Sequence, residues 1–181
     1  MRNKPQTAKR VYSIFNLIFK FASALGYLDT ANPMPESKYL LPKIYEQNRA
    51  AITNDAERYG ELVAKIQMQY ELEDNGAGLL LFLVYCFTRP GEARKLQWHN
   101  VVWRDKVIKL STQETKTAAP LIIPMSRQVI ELLESQKRRR TTPILPNDYI
   151  FYARYRGPKY PMSDAAPGLK LRQLGYASDE Q

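Results

Sequence analysis

The 181-residue sequence contains one cysteine, Cys86, and one histidine, His99. A single cysteine excludes an internal disulfide framework, and a single histidine excludes a metal centre built from several histidines. The longest apolar run, from Ala77 to Phe87, has eleven residues, whereas a membrane-spanning helix needs about 20. The chain does not open with a charged segment, an apolar stretch and a small-residue cleavage site, so the sequence gives no sign of export. We therefore expect a soluble protein of the cytoplasm with no membrane contact.

Positive charge is abundant and unevenly distributed. The sequence has 27 lysines and arginines against 18 acids, which gives a net charge of +9. Residues 1–50 carry eight bases and three acids, residues 51–136 ten bases and eleven acids, and residues 137–181 nine bases and four acids. A protein that binds a polyanion needs such a localised positive surface. Lysines and arginines that merely solvate helix faces are the alternative.

The spacing of apolar residues predicts how the chain is organised. Apolar positions recur at helical spacing from Thr7 to Gly26, with Thr7 as the N-cap and with Lys9 and Arg10 on the polar face. Three prolines between residues 33 and 42 then exclude a helix interior. They predict a linker that divides the chain near Ala50, into residues 1–50 and 51–181.

The second part is predicted to form helices around a small sheet. Further helices are predicted over 53–72, starting at Thr53, over 78–87, buried on all sides, and over 90–96. The period then changes to that of strands, with two in VVWRDKVIKL and a third in PLIIPM. A helix capped by Ser126 follows, then one possible strand over 149–152 and a last helix interrupted at Pro167-Gly168. The fold class is thus mainly α with a small three-stranded antiparallel β-sheet.

Arg89 has a chemically suggestive position between two helices. It follows the buried helix and precedes the short helix that Pro90 can start. A guanidinium beside free helix N–H groups makes a good anion site, since both offer donors to phosphate oxygens. Glu92, three residues on, could hold the start of this helix. On this feature alone, a solvent-exposed arginine favoured by the dipole of the preceding helix is the simpler explanation of Arg89.

Lys116 lies in the loop QETKTAA between the second and third predicted strands. A lysine on a mobile loop can reach into a cleft as a proton donor. Lysines in such loops also commonly protect the edges of sheets. Lys116 alone therefore indicates no function.

Together these two segments resemble the tyrosine recombinases, the lambda-integrase family, and especially prophage and genomic-island integrases of the satellite-phage type. The run from Leu79 to Trp103 is similar to their first catalytic box, with Arg89-Pro90-Gly91-Glu92 and then Trp98. The spacing from Lys116 to Pro120 and on to Ile123-Pro124-Met125-Ser126 is similar to their second box. The opening of the chain resembles the end of the family's core-binding domain.

The resemblance implies a mechanism and a set of partners. A tyrosine hydroxyl attacks the scissile DNA phosphate and forms a 3′-phosphotyrosyl link, without a nucleotide cofactor or a metal ion. Arg89 would bind the non-bridging phosphate oxygens, Lys116 would protonate the leaving 5′-oxygen, and Glu92 would brace the site. The implied partners are double-stranded attachment-site DNA and further integrase protomers, in a cytoplasm of bacterial or phage-derived origin.

The family's remaining motifs are missing. His-x-x-Arg and the nucleophilic tyrosine come after the helix that LRQLGY resembles, and His99 is followed by Asn100-Val101-Val102 instead. By family order, Tyr176 belongs to that preceding helix, so we expect no nucleophile in this sequence. Residues 1–50 are then the C-terminal part of a helical core-binding domain plus a linker, and residues 51–181 a partial catalytic domain. We expect a fragment, either a shortened expression product or the product of a decayed gene, inactive by itself.

Other basic residues are candidates for contact with the DNA backbone. They are Lys9, Arg10, Arg94, Lys95, Arg138, Arg139, Arg154, Arg156 and Lys159. Solvated helix ends and an irregular loop covering the core explain the same residues. Two other functions stay open: an integrase-derived DNA-binding protein that does not cut, and a helical interaction module whose basic surface is incidental.

The absence of the nucleophile motif has a direct test. We expect the 181-residue chain, incubated with a nicked suicide duplex, to form no covalent adduct on denaturing gels. A phosphotyrosyl adduct mapped to Tyr176 by mass spectrometry would contradict the assignment of that residue to the preceding helix.

Overall fold

The computed structural model describes residues 4–42 and 55–176. The chain divides into two compact units, Met1–Arg49 and Ala50–Gln181. Their assignment to a core-binding and a catalytic domain stays a prediction. Among the described residues, no helix has both the length and the apolar character required to cross a membrane.

The first unit is helical over its described residues. Helix α1 spans Pro5–Ala24 and helix α2 spans Met34–Ser37, followed by a short 3₁₀ turn at Lys38–Leu40. The predicted N-cap at Thr7 is wrong, because the helix begins two residues earlier at Pro5. Proline is well suited to the first helical position, since the N–H that it lacks would have no partner there. Asn32 connects the two helices by donating to Asn16 Oδ1 over 2.9 Å.

Two helices open the described part of the second unit, and a side chain caps each of them. Helix α3, Ala56–Glu71, begins after Asp55, which accepts a hydrogen bond from the amide of Arg58. The predicted start at Thr53 lies outside the described residues. Helix α4, Asn75–Cys86, begins after Asp74, which accepts from the amide of Ala77. Residues 77–82 are buried, as predicted for this apolar helix, but residues 83–86 are half-buried, and Phe87, which was predicted to belong to the buried helix, lies beyond its end and is 86% exposed.

The predicted three-stranded antiparallel sheet is confirmed. Its strands are β1, Val101–Val102, β2, Val107–Leu110, and β3, Leu121–Pro124, in the order β1-β2-β3. Ile108 on β2 pairs with Val101 on one side and Ile123 on the other, and it is fully buried. The alternation of β2 therefore turns one face to the core and leaves Lys109 on the exposed face.

The remaining helices differ from the sequence predictions in detail. Helix α5 spans Pro90–Ala93, helix α6 spans Arg127–Arg138 after its Ser126 cap, and helix α7 spans Ala166–Gln173. The predicted interruption at Pro167-Gly168 is wrong, because Pro167 lies in the first turn of α7, where a proline is tolerated. The possible strand over 149–152 is reduced to two isolated bridges, Gln97 with Tyr149 and Tyr152 with Pro161.

A buried ion pair holds the segment after α6 in place. Arg140 Nη2 lies 2.8 Å from Asp148 Oδ2, and each side chain is only 4% exposed. Asp148 Oδ2 also accepts a hydrogen bond from the amide of Leu145, and the backbone carbonyl of Asp148 accepts one from the amide of Trp98. Asp148 therefore ties the 141–148 segment both to the end of α6 and to the entrance of the sheet.

Replacing Asp148 tests how much this ion pair stabilises the fold. We expect Asp148→Ala to lower the free energy of unfolding by about 3–5 kcal/mol, because a buried Arg140 would lose its counter-charge. Asp105→Ala is the control, since it removes an exposed pair with Arg104 and should cost less than about 1 kcal/mol. Urea unfolding followed by circular dichroism measures both, and equal losses in the two variants would contradict the structural role of the buried pair.

Candidate active site

The backbone around Arg89 places its side chain at the surface between α4 and α5. Phe87 ends α4 in the left-handed region, with φ 51°, and its amide donates to the carbonyl of Leu83. Arg89 itself is extended, with φ −68° and ψ 138°, as expected for a residue that precedes a proline. The Arg89 side chain is 53% exposed.

The helix N-terminus beside Arg89 differs from the sequence prediction. The amides of Glu92 and Ala93 both donate to the carbonyl oxygen of Arg89, each over 3.0 Å. These two N–H groups are therefore not available to a phosphate. The guanidinium is therefore the main donor that this position offers to an anion, because Pro90 has no N–H and the amides of Glu92 and Ala93 already have an acceptor.

Glu92 links the two segments that the sequence singled out. Its side chain is 5% exposed, and Oε1 accepts a hydrogen bond from Arg89 Nη1 over 3.1 Å. The same oxygen accepts a hydrogen bond from the backbone amide of Lys116 over 3.3 Å. One buried carboxylate oxygen thus fixes the guanidinium on one side and the β2–β3 loop on the other.

Lys116 lies in the loop of residues 111–120 that joins β2 to β3, and its side chain is exposed. The preceding residue, Thr115, is buried, and its hydroxyl donates to the carbonyl of Ala119 over 2.7 Å. The backbone at Lys116 is therefore held on the protein while its ammonium group faces solvent.

Sequence reasoning missed the carboxylate at the base of this loop. Glu114 Oε2 accepts hydrogen bonds from the amide and the hydroxyl of Ser111, and Oε1 accepts one from Asn100 Nδ2. Burial by itself would raise the pKa of Glu114, but the hydrogen bonds from Ser111 and Asn100 and the nearby His99 together lower it. The Ser-x-x-Glu spacing at residues 111–114 was the available signal, since a glutamate three residues after a serine favours a hydrogen bond from the serine amide to the glutamate carboxylate.

Most of the other expected DNA contacts lie on the surface. The exposed members are Lys9, Arg10, Lys95, Arg138, Arg154, Arg156 and Lys159. Arg154 approaches Glu73 to 3.4 Å, and the Arg156 guanidinium stacks 4.2 Å from the ring centre of Tyr160. These seven side chains can be reached by a polyanion, and their role stays a prediction.

Arg94 and Arg139 do not fit the expected DNA surface. The Arg94 side chain is 13% exposed, donates to the carbonyl of Met162 and pairs with Asp164. Arg139 donates to the carbonyl of Tyr70 over 2.7 Å and stacks on the ring of the same tyrosine. Both guanidinium groups are thus engaged within the fold, where they join elements distant in sequence.

Three further observations bear on the chemistry of the site. Tyr176 packs at the end of α7, with its amide bonded to Leu171 and with Lys65 Nζ 5.1 Å from its ring centre. Burial raises the pKa of the Cys86 thiol to about 11, so this side chain is a poor nucleophile at neutral pH.

Within residues 4–42 and 55–176, no group of three or more histidine, cysteine or acidic side chains could hold a metal ion.

Comparison with curated proteins finds integrases. The chain is 25% identical over 182 residues to the prophage integrase IntZ of Escherichia coli (strain K12), a match that covers 98% of this chain and 41% of IntZ. It is 33% identical over 94 residues to the integrase of Shigella phage Sf6, which covers 52% of this chain and 23% of that protein. The chain thus spans less than half the length of these relatives.

Solved structures share the fold at low sequence identity. The Tn1549 transposon integrase in complex with transposon right end DNA matches with a TM-score of 0.69 and 15% identity, over 97% of this chain and 60% of that one. The XerA recombinase matches with a TM-score of 0.53 and 16% identity, over 94% of this chain and 54% of that one. These likenesses concern the fold of the helices and the small sheet.

The family model named for the phage integrase family matches residues 55–181, which is well over half of the sequence. The match includes α4, Arg89, the three strands and the loop that carries Lys116. The chain therefore belongs to the phage integrase family.

Proposed function

We propose that this chain is the part of a tyrosine site-specific recombinase that binds duplex DNA and activates the scissile phosphate. One observation carries the proposal: the buried carboxylate of Glu92 joins the exposed guanidinium of Arg89 to the amide of Lys116. One internal anion thereby holds the Arg89 guanidinium and, through a backbone amide, the loop from which the exposed Lys116 side chain extends. A guanidinium and an ammonium group carried by two segments that are held together in this way suit a phosphodiester.

Arg89 stabilises the charge that develops on the phosphate. Its planar guanidinium offers five N–H donors. Glu92 accepts a hydrogen bond from one nitrogen, Nη1. The rest of the half-exposed guanidinium binds the non-bridging oxygens, and it stays protonated throughout the reaction. Because Glu92 orients the fork in advance, little reorganisation is needed when negative charge builds up in the transition state.

Lys116 supplies the proton for the leaving group. As a tyrosine hydroxyl attacks phosphorus, its proton passes to water, the bond from phosphorus to the 5′-oxygen breaks, and the Lys116 ammonium group donates a proton to that oxygen. The attacking tyrosine is the nucleophile of the family motif, which the sequence of this chain does not display. The phosphodiester is conserved as a 3′-phosphotyrosyl link, and rejoining to a 5′-hydroxyl returns the proton to the lysine. On rejoining, water returns a proton to the departing tyrosine oxygen.

The DNA surface consists of exposed cations outside this centre. Lys95 adjoins the Arg89 segment, and Arg154, Arg156 and Lys159 cluster in the loop before α7. Cations interleaved with an exposed aromatic ring such as Tyr160 suit contacts to phosphate and sugar. The proposed partners are an attachment-site duplex and further integrase protomers on it, which places the chain with the DNA in the cytoplasm of a bacterium.

Substitution of Arg89 tests the proposed centre. In a polypeptide that carries this sequence together with the family's nucleophilic tyrosine, we expect Arg89→Ala to reduce strand cleavage by about 10²–10³-fold. Affinity for the uncut duplex should fall by less than about tenfold, since one phosphate contact is removed. Cleavage of a suicide duplex and fluorescence anisotropy measure the two quantities.

Arg104→Ala is the matched control, because it removes a highly exposed arginine from the turn between β1 and β2. It should leave cleavage unchanged. Equal loss of cleavage and binding in Arg89→Ala would assign Arg89 to docking or folding instead. If the unsubstituted polypeptide with the nucleophilic tyrosine binds the duplex and does not cleave it, this result would favour an integrase-derived protein that occupies sites without cutting them.

The salt dependence of binding tests the DNA surface. We expect the 181-residue chain to bind duplex DNA at low salt, with an affinity that falls steeply as salt rises. Replacing Arg154, Arg156 and Lys159 by glutamine should reduce the slope of log affinity against log salt by about 0.9 for each phosphate that the protein no longer neutralises. Arg58→Gln is the control, because this exposed arginine of α3 lies in a stretch, residues 55–74, that carries six acids and two bases. No affinity at low salt would leave the helical interaction module as the better interpretation.

A further inference from the structure

We propose that Glu114 is a positioning residue for Lys116: it clamps the base of the β2–β3 loop and thereby sets where the lysine ammonium group can reach. The inference rests on the proposed role of Lys116 as proton donor. It assigns a function to a carboxylate that the proposed mechanism leaves unused.

Both oxygens of Glu114 are engaged by the protein. Oε2 accepts from the Ser111 amide over 2.7 Å and from the Ser111 hydroxyl over 2.6 Å, and Oε1 accepts from Asn100 Nδ2 over 2.8 Å. His99 Nε2 lies 3.6 Å from the same Oε1. With three short donors on one carboxylate, Glu114 is suited to holding the loop rather than to reacting with a substrate.

The partner Asn100 is itself rigidly placed. It is 2% exposed, its Nδ2 also donates to the carbonyl of Lys109, and its Oδ1 accepts from the amide of Gln97. Asn100 thus ties the segment before β1 to β2. Through Asn100, Glu114 connects the start of the loop to the backbone of β2 and to the segment before β1.

The residues after Glu114 transmit this restraint to Lys116. Thr115 is buried and its hydroxyl closes on Ala119, while the Lys116 amide donates to Glu92. Three consecutive residues, 114–116, are therefore anchored by different partners. The backbone is held as far as Lys116, and only the side chain of Lys116 is free to move. Glu114 helps to set that backbone position and therefore the volume that the Lys116 ammonium group samples.

Hydrogen exchange of the 181-residue chain tests the clamp without any DNA. We expect Glu114→Ala to increase amide exchange at residues 115–118 by about tenfold or more, because charged hydrogen bonds at the base of the loop are removed. Exchange in α4 and α6 should remain that of the unsubstituted chain, which shows that the fold persists. Glu131→Ala removes an exposed carboxylate from α6 and is the matched control. Unchanged exchange at 115–118 in Glu114→Ala would overturn the proposal.

Cleavage of a duplex with a 5′-bridging sulfur tests whether the clamp acts through the lysine. A thiol is far more acidic than an alcohol (the pKa of a cysteine thiol is about 8.5), so a thiolate leaves without the proton that an alkoxide requires. In a polypeptide that also carries the nucleophilic tyrosine, we expect Lys116→Ala and Glu114→Ala each to slow cleavage of the ordinary duplex by about tenfold or more. Both should cleave the sulfur-containing duplex at close to the unsubstituted rate, and duplex affinity should be unchanged.

The possible results separate the two levels of inference. Rescue of both variants by sulfur, with no rescue of Arg89→Ala, supports the positioning role. Rescue of Lys116→Ala but equal slowing of Glu114→Ala on both duplexes overturns the role of Glu114 and leaves the proposed function intact. No rescue of Lys116→Ala overturns its assignment as proton donor, and the positioning role falls with it.

Discussion

The buried carboxylate of Glu92 is the interaction on which the rest of this site depends. An acid with 5% exposure is stable in the fold only if its charge is met by donors, and here these are the Arg89 guanidinium and the Lys116 amide. The need to satisfy one anion therefore brings together two segments that are 24 residues apart in the chain. The same need leaves Arg89 with a defined orientation toward solvent.

The surrounding fold keeps that carboxylate buried. Residues 77–82 of helix α4 are buried in the core, and the end of this helix at Phe87 turns the chain so that the extended Arg89 leads directly into α5. The sheet brings the β2–β3 loop to the other side of Glu92. Glu114 and Asn100 then anchor the loop at its base. The backbone that carries the Lys116 side chain is thereby held against the rigid core.

The cations of this protein divide into two groups with different physical roles. Arg140 is buried against Asp148, while Arg94 and Arg139 bond to backbone carbonyls of distant segments. These charges have given up much of their water and stabilise the fold through their partners. Charges such as Arg156 and Lys159 keep their hydration and contribute to the long-range positive field. The net charge of +9 by itself therefore does not show which cations a polyanion can meet.

Local sequence was sufficient to predict the class of fold, whereas the two segments of the candidate site were selected by their resemblance to a known family. The all-apolar run of α4, the change of period at β1 and the Ser126 cap depend on neighbouring residues alone, and all three appear as predicted. The tertiary structure decided which charged side chains face inward. Adjacent arginines such as Arg138 and Arg139 carry identical chemistry, and only the chain packed against each decides whether it meets water or a carbonyl. The clamp at Glu114 likewise needs Asn100, which a separate segment supplies once the sheet has formed.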